Sequence, residues 1–218
     1  MFDFDKTTGE MFIYDDIGPS WLGMIDASTV INAIRGYSGK ITVRINSAGG
    51  SVDEAIAIYN ALERHTGGVD VAIDSLAASA ASYIAMVGES ITISDGGMVM
   101  IHSPWTIAMG NSTELRKTAD VLDKYEDRIS AAYKKRMGID DDAMKALLAD
   151  ETWYNATEAV AAGLANATGN YAVEPVAVAD GRFAKTPQSL LNRSEPGSRT
   201  PYNRQLVDVR LRLAKLAK

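Results

Sequence analysis

The feature that most constrains the fold is a repeated succession of a short alternating strand and a helix. Residues 40–45 alternate polar and apolar side chains, and residues 69–74 do the same. Each run leads through a turn of small residues into a segment whose apolar side chains recur at helical spacing. Strands separated by helices favour an α/β fold with a largely parallel sheet.

The remaining elements follow from periodicity and capping residues. The run at residues 98–101 is apolar throughout, which predicts a strand buried on both faces. Asn155 and Glu158 have the spacing of a capping box and predict the start of a late helix. Further strands are expected at residues 11–14, 90–94 and 152–154, and helices at residues 28–36, 53–64, 112–137 and 141–148.

The domain organisation follows from where this pattern stops. It decays after about Thr168, so we expect one folded domain over residues 1–168 and a C-terminal extension over residues 169–218. Residues 184–203 are rich in Pro, Ser, Thr, Asn and Arg and are typical of a flexible linker. Residues 205–217 have the spacing of a short basic amphipathic helix.

Composition excludes several classes of function. The net charge of −6 argues against a nucleic-acid-binding surface, and the absence of cysteine excludes disulfides, thiolate catalysis and Cys-ligated zinc. No apolar run reaches the roughly 18 residues that would span a membrane. No cofactor or metal motif is present, because the glycine loop at residues 47–51 lacks the Gly-Lys-Ser/Thr of a phosphate-binding loop.

Histidine is scarce, since only His65 and His102 occur. His102 follows the buried strand at residues 98–101, and strand ends are where catalytic groups gather in α/β folds. It is therefore the candidate general base, although a histidine satisfied by its neighbours fits the same position. His65 lies in the last turn of a helix, where a cation is favoured, and is expected to be structural and exposed.

Ser79 lies in an alanine-rich turn between a predicted strand and a predicted helix. Small neighbours allow close approach of a substrate, and the N–H groups of a helix start favour an oxyanion. Ser75 and Ser82 are rival candidates, and a serine that simply caps the helix fits as well. The glycine loop at residues 47–51 can offer N–H groups to an anion or form an ordinary turn.

Four segments in this order resemble the Clp-type serine peptidases, and the resemblance covers about residues 11–168. It implies a ClpP/crotonase-type fold of stacked ββα units, with a protruding long helix at residues 112–137. It also implies protein substrates and a homo-oligomeric ring, either a heptamer or a double ring. The four segments are residues 45–52, 77–80, 100–104 and 151–164.

The resemblance also implies roles for individual residues. Ser79 would be the nucleophile and His102 the general base, with the main-chain N–H groups of Gly49 and Ala80 forming the oxyanion hole. Glu151 stands where the housekeeping enzymes of the family carry the triad Asp, and the adjacent Asp150 is the alternative acid. Two other positions differ from the housekeeping enzymes without removing a catalytic group. Residues 75–76 are Ser-Leu rather than Gly-Gln, and Ala48 replaces the proline of the glycine loop.

A sub-branch is indicated by the segments at residues 58–62, 77–82, 110–111 and 151–153. They resemble the Clp-like proteases of tailed phages and prophages, which process capsid or scaffold protein during head maturation. This predicts a location in the cytoplasm of a bacterial host or inside the assembling prohead. The flexible composition of residues 184–203 separately predicts self-cleavage within that stretch. The alternatives are a crotonase-type acyl-CoA enzyme and a catalytically silent, ring-forming scaffold component.

Overall fold

A single mixed sheet organises the protein. The computed structural model describes residues 1–169 and 182–191. Eight strands form the sheet in the order β1-β2-β3-β4-β5-β8, with β6 joined to β4 and β7 joined to β6. The strands are β1 Phe2–Asp5, β2 Glu10–Ile13, β3 Ile41–Ser47, β4 Val69–Ala78, β5 Ile91–Ser94, β6 Met98–Ile101, β7 Thr152–Asn155 and β8 Ala167–Gly169.

The strand directions agree with an α/β fold. The β1–β2 and β6–β7 pairs are antiparallel, and the pairs β2–β3, β3–β4, β4–β5, β4–β6 and β5–β8 are parallel. The predicted fold class is therefore confirmed. Strands β1 and β8 are additions to the strands expected from the sequence.

Strand β4 is the branch point of the sheet. Its first half pairs with β5 through residues 71–73, and its second half pairs with β6 through residues 76–78. The sequence predicted a turn after Asp74, but the strand continues to Ala78 because the buried residues there gain β6 as a new partner. Leu76, Ala77 and Ala78 are completely buried.

The helices largely match the expected positions, and side-chain caps explain where several begin. Asp26 caps α1, Asp140 caps α5, and capping boxes built on Asn111 and Asn155 open α4 and α6. Each cap satisfies an N–H group that has no acceptor within the helix. The helices are α1 Ala27–Ile34, α2 Val52–Glu63, α3 Ala80–Ala85, α4 Ser112–Met137, α5 Asp141–Ala149, α6 Ala156–Ala161 and α7 Gln188–Leu191.

Helix α4 has its predicted bounds, but its two halves differ in how far their apolar side chains are buried. Ile129 and Tyr133, in its second half, lie in the core. Leu115 and Val121, in its first half, are 44% and 47% exposed. The first half of α4 therefore presents apolar side chains that its own domain does not cover.

The core has two parts. The main cluster fills the space between the sheet and the helices, and a smaller cluster lies beside the ends of β4 and β6. Phe183 and Leu190 complete the smaller cluster, although the sequence predicted a linker from residue 184. The described part of that stretch packs on the domain because these two side chains are buried. The predicted helix at residues 205–217 lies outside the described residues.

A hydrogen-bonded ionic network around the buried Asp74 links strands β3 and β4 with the end of β2. Asp74 accepts hydrogen bonds from Arg44 Nε at 2.9 Å and Nη2 at 2.6 Å, and also from the hydroxyl of Tyr14. Burial raises the pKa of Tyr14 to about 12. Each polar group in this network has a partner, which is what a buried carboxylate requires.

Among residues 1–169 and 182–191, no helix is both long and apolar enough to cross a membrane. Within the same residues, no cluster of three or more His, Asp or Glu side chains has the arrangement of a metal site.

Candidate active site

Ser79 occupies a sharp turn between β4 and α3. Its backbone angles are φ 54° and ψ −125°, a conformation that is strained for any residue with a side chain. Its main-chain N–H donates to the carbonyl oxygen of Met100 at 2.9 Å, which fixes the turn to β6. Ser79 lies at the wall of a cavity. The sequence-predicted nucleophile is thus held outside both regular elements.

His102 is brought to Ser79 by strand pairing. Ala78 and Met100 are partners in the parallel pair β4–β6, so the carboxyl ends of the two strands lie at the same edge of the sheet. His102 Nε2 and Ser79 Oγ are 2.7 Å apart. At this distance an imidazole can take the proton of a hydroxyl as that hydroxyl attacks an electrophile.

The two rival serines have other surroundings. Ser82 is completely buried, and its Oγ lies 2.7 Å from the carbonyl oxygen of Ser79, 2.8 Å from that of Met100 and 2.8 Å from the hydroxyl of Tyr133. Ser82 therefore anchors the turn. Burial raises the pKa of Tyr133 and keeps it neutral. Ser75 is 6% exposed and lies inside β4.

The glycine loop between β3 and α2 packs directly behind the nucleophile. Gly49 has φ 89°, and a methyl group on it would lie 2.5 Å from the carbonyl oxygen of Ala78 and 2.8 Å from the nitrogen of Ala80. Only glycine fits this approach. The N–H of Ala80 lies in the first turn of α3. N–H groups in the first turn of a helix have no acceptor within that helix. The N–H of Gly49 donates to Ser47 Oγ at 3.1 Å in this structure.

The predicted acid does not contact the histidine. Glu151 has φ 52°, and its carboxylate accepts hydrogen bonds from the main-chain N–H groups of Ala184 at 2.8 Å and Lys185 at 2.5 Å. The ammonium of Lys185 pairs with Asp150. Neither carboxylate forms a hydrogen bond with His102. The carboxylate of Glu151 is instead engaged by two main-chain donors of a segment more than 30 residues later in the chain.

Residues 182–187, which we call the strap, cross the site next to the histidine. Phe183 is 6% exposed, and its ring meets His102 edge-on at 5.4 Å between centroids and Trp153 at 5.8 Å. The Arg182 guanidinium donates to both carboxylate oxygens of Asp16, at 2.8 Å and 3.2 Å. These strap residues were not predicted from the sequence. Their one local signal is an aromatic side chain within a polar stretch.

A cavity of about 460 Å³ opens at the Ser79–His102 pair. A second space of about 20 Å³ lies behind Ser79, between α3 and the buried end of α4. The larger cavity offers both apolar walls and polar groups, as ligand-binding sites commonly do. Its walls come from the glycine loop, the segment after β6 and the strap, through Gly50, Ser51, Trp105, Ile107, Arg182 and Phe183.

A hydroxyl and an imidazole in contact at the carboxyl edge of a mostly parallel sheet form the kind of pair that serine hydrolases use. The model of the Clp protease family matches residues 10–170, which is well over half of the 218 residues. The chain therefore belongs to the Clp protease family, a family of serine-type peptidases that act on protein substrates and form rings. A comparison with curated proteins finds no match.

Proposed function

We propose that this protein is a serine endopeptidase in which Ser79 is the nucleophile and His102 the general base. The observation that carries the proposal is the 2.7 Å contact between Ser79 Oγ and His102 Nε2 at the wall of the 460 Å³ cavity. Two further features support it. The strained turn exposes the hydroxyl at the sheet edge, and the chain belongs to a peptidase family.

The chemistry proceeds by acyl transfer. Ser79 Oγ attacks the scissile carbonyl carbon while its proton moves to His102 Nε2. The resulting oxyanion is stabilised by the N–H of Ala80 and by that of Gly49, which exchanges Ser47 Oγ for the oxyanion. His102 then gives its proton to the leaving amine. Water, deprotonated by His102, hydrolyses the acyl-enzyme and restores Ser79.

The proposal assigns no proton transfer to a carboxylate. Neither Glu151 nor Asp150 hydrogen-bonds to His102, and the contacts of Glu151 go to the strap. The proposal therefore rests on the contact between Ser79 and His102.

The finer proposal concerns the substrate and setting. We propose that the enzyme processes capsid or scaffold protein during phage head maturation, in the bacterial cytoplasm or inside the prohead. Support comes from the segments at residues 58–62, 77–82, 110–111 and 151–153, which resemble phage-encoded members. Assembly into a homo-oligomeric ring is supported by the exposed apolar side chains Leu115 and Val121 on α4.

The test is covalent labelling followed by cleavage. The purified protein is incubated with a fluorophosphonate probe, and mass spectrometry locates the adduct. We expect the adduct on Ser79, and none in the Ser79→Ala and His102→Ala variants. Label absent from the wild-type protein would contradict the nucleophile assignment, and acyl-CoA binding by such an unlabelled protein would favour the crotonase-type alternative.

The substrate proposal needs its own measurement. The protein is incubated with phage capsid and scaffold proteins, and fragments are identified by mass spectrometry, with Ser79→Ala in parallel. We expect cleavage by the wild-type protein only. A labelled enzyme that leaves all head proteins intact would contradict the maturation role but not the peptidase assignment, and an unlabelled, inactive one would favour a silent scaffold component.

A further inference from the structure

We infer that the strap is part of the catalytic apparatus: Phe183 positions His102, and Glu151 holds Phe183 in place through the main chain of the strap. This inference rests on the proposed roles of Ser79 and His102. It gives Glu151 a purpose other than contact with the imidazole. It also extends the site beyond residues 10–170, which match the family.

The first step is the contact of Phe183 with the base. The two rings meet edge-on, at an interplanar angle of 82° and 5.4 Å between centroids. Phe183 is itself fixed, because it lies in the small apolar cluster with Ala78 and Met100, the residues that pair β4 with β6. A fixed aromatic ring packed against the imidazole of His102 restricts rotation about the side-chain bonds of His102. Phe183 thereby favours the rotamer in which Nε2 meets Ser79.

The second step is the attachment of the strap by Glu151. One carboxylate accepts the N–H groups of Ala184 and Lys185, the two residues that follow Phe183, at 2.8 Å and 2.5 Å. Hydrogen bonds to an ionised acceptor are among the stronger ones in proteins. Trp153 contacts both Glu151 and Phe183. Its indole N–H donates to the Glu151 carboxylate at 3.3 Å, and its ring packs against the ring of Phe183.

The third step is the attachment on the other side of Phe183. Arg182 makes a two-pronged ion pair with Asp16, and the two side chains are only 13% and 6% exposed. Arg182 and Phe183 both line the cavity beside Ser79. The chain is therefore held on each side of Phe183, which leaves the ring little freedom to move away from His102.

The experiment measures how fast a fluorophosphonate probe modifies Ser79, separating the probe's binding constant from the maximal labelling rate. Phe183→Leu removes the ring, and Glu151→Gln weakens the attachment while keeping one acceptor oxygen. We expect each to lower the maximal labelling rate about tenfold, with the binding constant unchanged, because a small misplacement of a base slows chemistry by this order. The double variant is expected to be no slower than either single variant, because both act through the strap.

Matched controls isolate the strap. Phe4→Leu makes the same substitution at another edge-on aromatic pair, with Tyr37 at 5.1 Å. Glu158→Gln alters another carboxylate that accepts a main-chain N–H, that of Asn155 at 2.9 Å. Both controls are expected to label at the wild-type rate. Thermal unfolding of every variant shows that the compared proteins are folded.

Three outcomes would overturn the inference. The first is wild-type labelling rates in both Phe183→Leu and Glu151→Gln. The second is a loss of about 10⁴-fold in Glu151→Gln with Phe183→Leu unaffected, the size expected if the carboxylate oriented the imidazole directly. The third is a double variant whose maximal labelling rate falls by the product of the two single-variant losses. A wild-type protein that does not label at all would instead contradict the proposed function.

Discussion

The Ser79–His102 pair and the strap lie on either side of one imidazole, and they are built differently. The pair is placed by regular structure, because Ser79 and His102 follow partner strands at one edge of the sheet. The strap is placed by side-chain contacts across large sequence separations, 33 residues for Glu151 and Ala184 and 166 for Asp16 and Arg182. The comparison shows that a sheet can supply a reactive pair while separate contacts determine how firmly it is aligned.

The largest expected effect comes from removing the pair itself. Ser79→Ala or His102→Ala should lower kcat for peptide hydrolysis by at least about 10³-fold, since each removes a group that forms or breaks bonds. Ser90→Ala, an exposed serine in a loop, is the control and should retain wild-type kcat. Substantial hydrolysis by Ser79→Ala would place the chemistry elsewhere.

A second prediction tests the close approach behind the nucleophile. Gly49→Ala places a methyl group 2.5 Å from the carbonyl oxygen of Ala78, so the nucleophile turn must move. We expect labelling of Ser79 to slow by about 10²-fold, the order seen when reacting groups are misplaced.

The control for that prediction is Gly23→Ala. Gly23 also has a positive φ, 78°, but a methyl group there would meet nothing within 4 Å. It should cost about 1 kcal/mol of unfolding free energy through backbone strain and leave labelling unchanged. Equal labelling losses in the two variants would mean that backbone strain, rather than the contact with Ser79, is responsible.

A third prediction concerns the attachment of the strap at its Arg182 end. Asp16→Asn removes one charge of a buried pair, which is expected to destabilise the strap by about 3 kcal/mol because Arg182 remains buried. The N–H groups of Ala184 and Lys185 should then exchange with solvent about 10²-fold faster, as local opening becomes easier. Hydrogen exchange followed by mass spectrometry measures this.

Asp150→Asn is the matched change in the exposed pair with Lys185, whose side chains are 71% and 53% exposed. Exposed ion pairs contribute at most about 1 kcal/mol, so exchange should change less than about fivefold. If Asp150→Asn accelerated exchange as much as Asp16→Asn, burial would not be what makes the Arg182 end strong.

The smallest expected effect belongs to a local contact. Hydrogen bonds from Ser20 and Thr29 lower the pKa of Asp26, the N-cap of α1, below 3.8. Because the folded pKa is the lower one, the ionised carboxylate adds stability above pH 3.8, and this stability is lost as the pH falls through the folded pKa. Asp26→Asn should therefore cost about 0.5 kcal/mol near pH 6.

Urea unfolding from pH 6 to pH 2.5 measures that cost. The difference in unfolding free energy between the wild-type protein and Asp26→Asn should shrink once the pH drops below about 4. The reason is that the unfolded carboxyl group has a pKa of about 3.9. A difference that stays constant over this range would show that the charge of Asp26 contributes nothing.

The sequence predicted elements whose causes are local. The bounds of α4 followed from its capping residues and Gly138, and β6 from an unbroken apolar run. The proximity of Ser79 and His102 could be anticipated because both follow strands that run in the same direction. Periodicity and caps carry this information within a few residues.

The strap could not be predicted in this way. Its polar composition gives no periodic pattern, and the partners of Arg182 and Phe183 lie far away in the sequence. Glu151 could be aligned with a catalytic acid, but its main-chain partners belong to a segment more than 30 residues later. The continuation of β4 to Ala78 was missed similarly, because it depends on β6.

The ion pair between Asp16 and Arg182 also bears on when the site is completed during folding. The two residues are separated by 166 positions, so their contact closes one of the longest loops the chain can form. Loop closure of this length is entropically costly and slow relative to local structure. During synthesis, Asp16 emerges early, and it can pair with Arg182 only after 166 further residues have been added. The sheet and the nucleophile turn can therefore form first, with the strap docking as a late step.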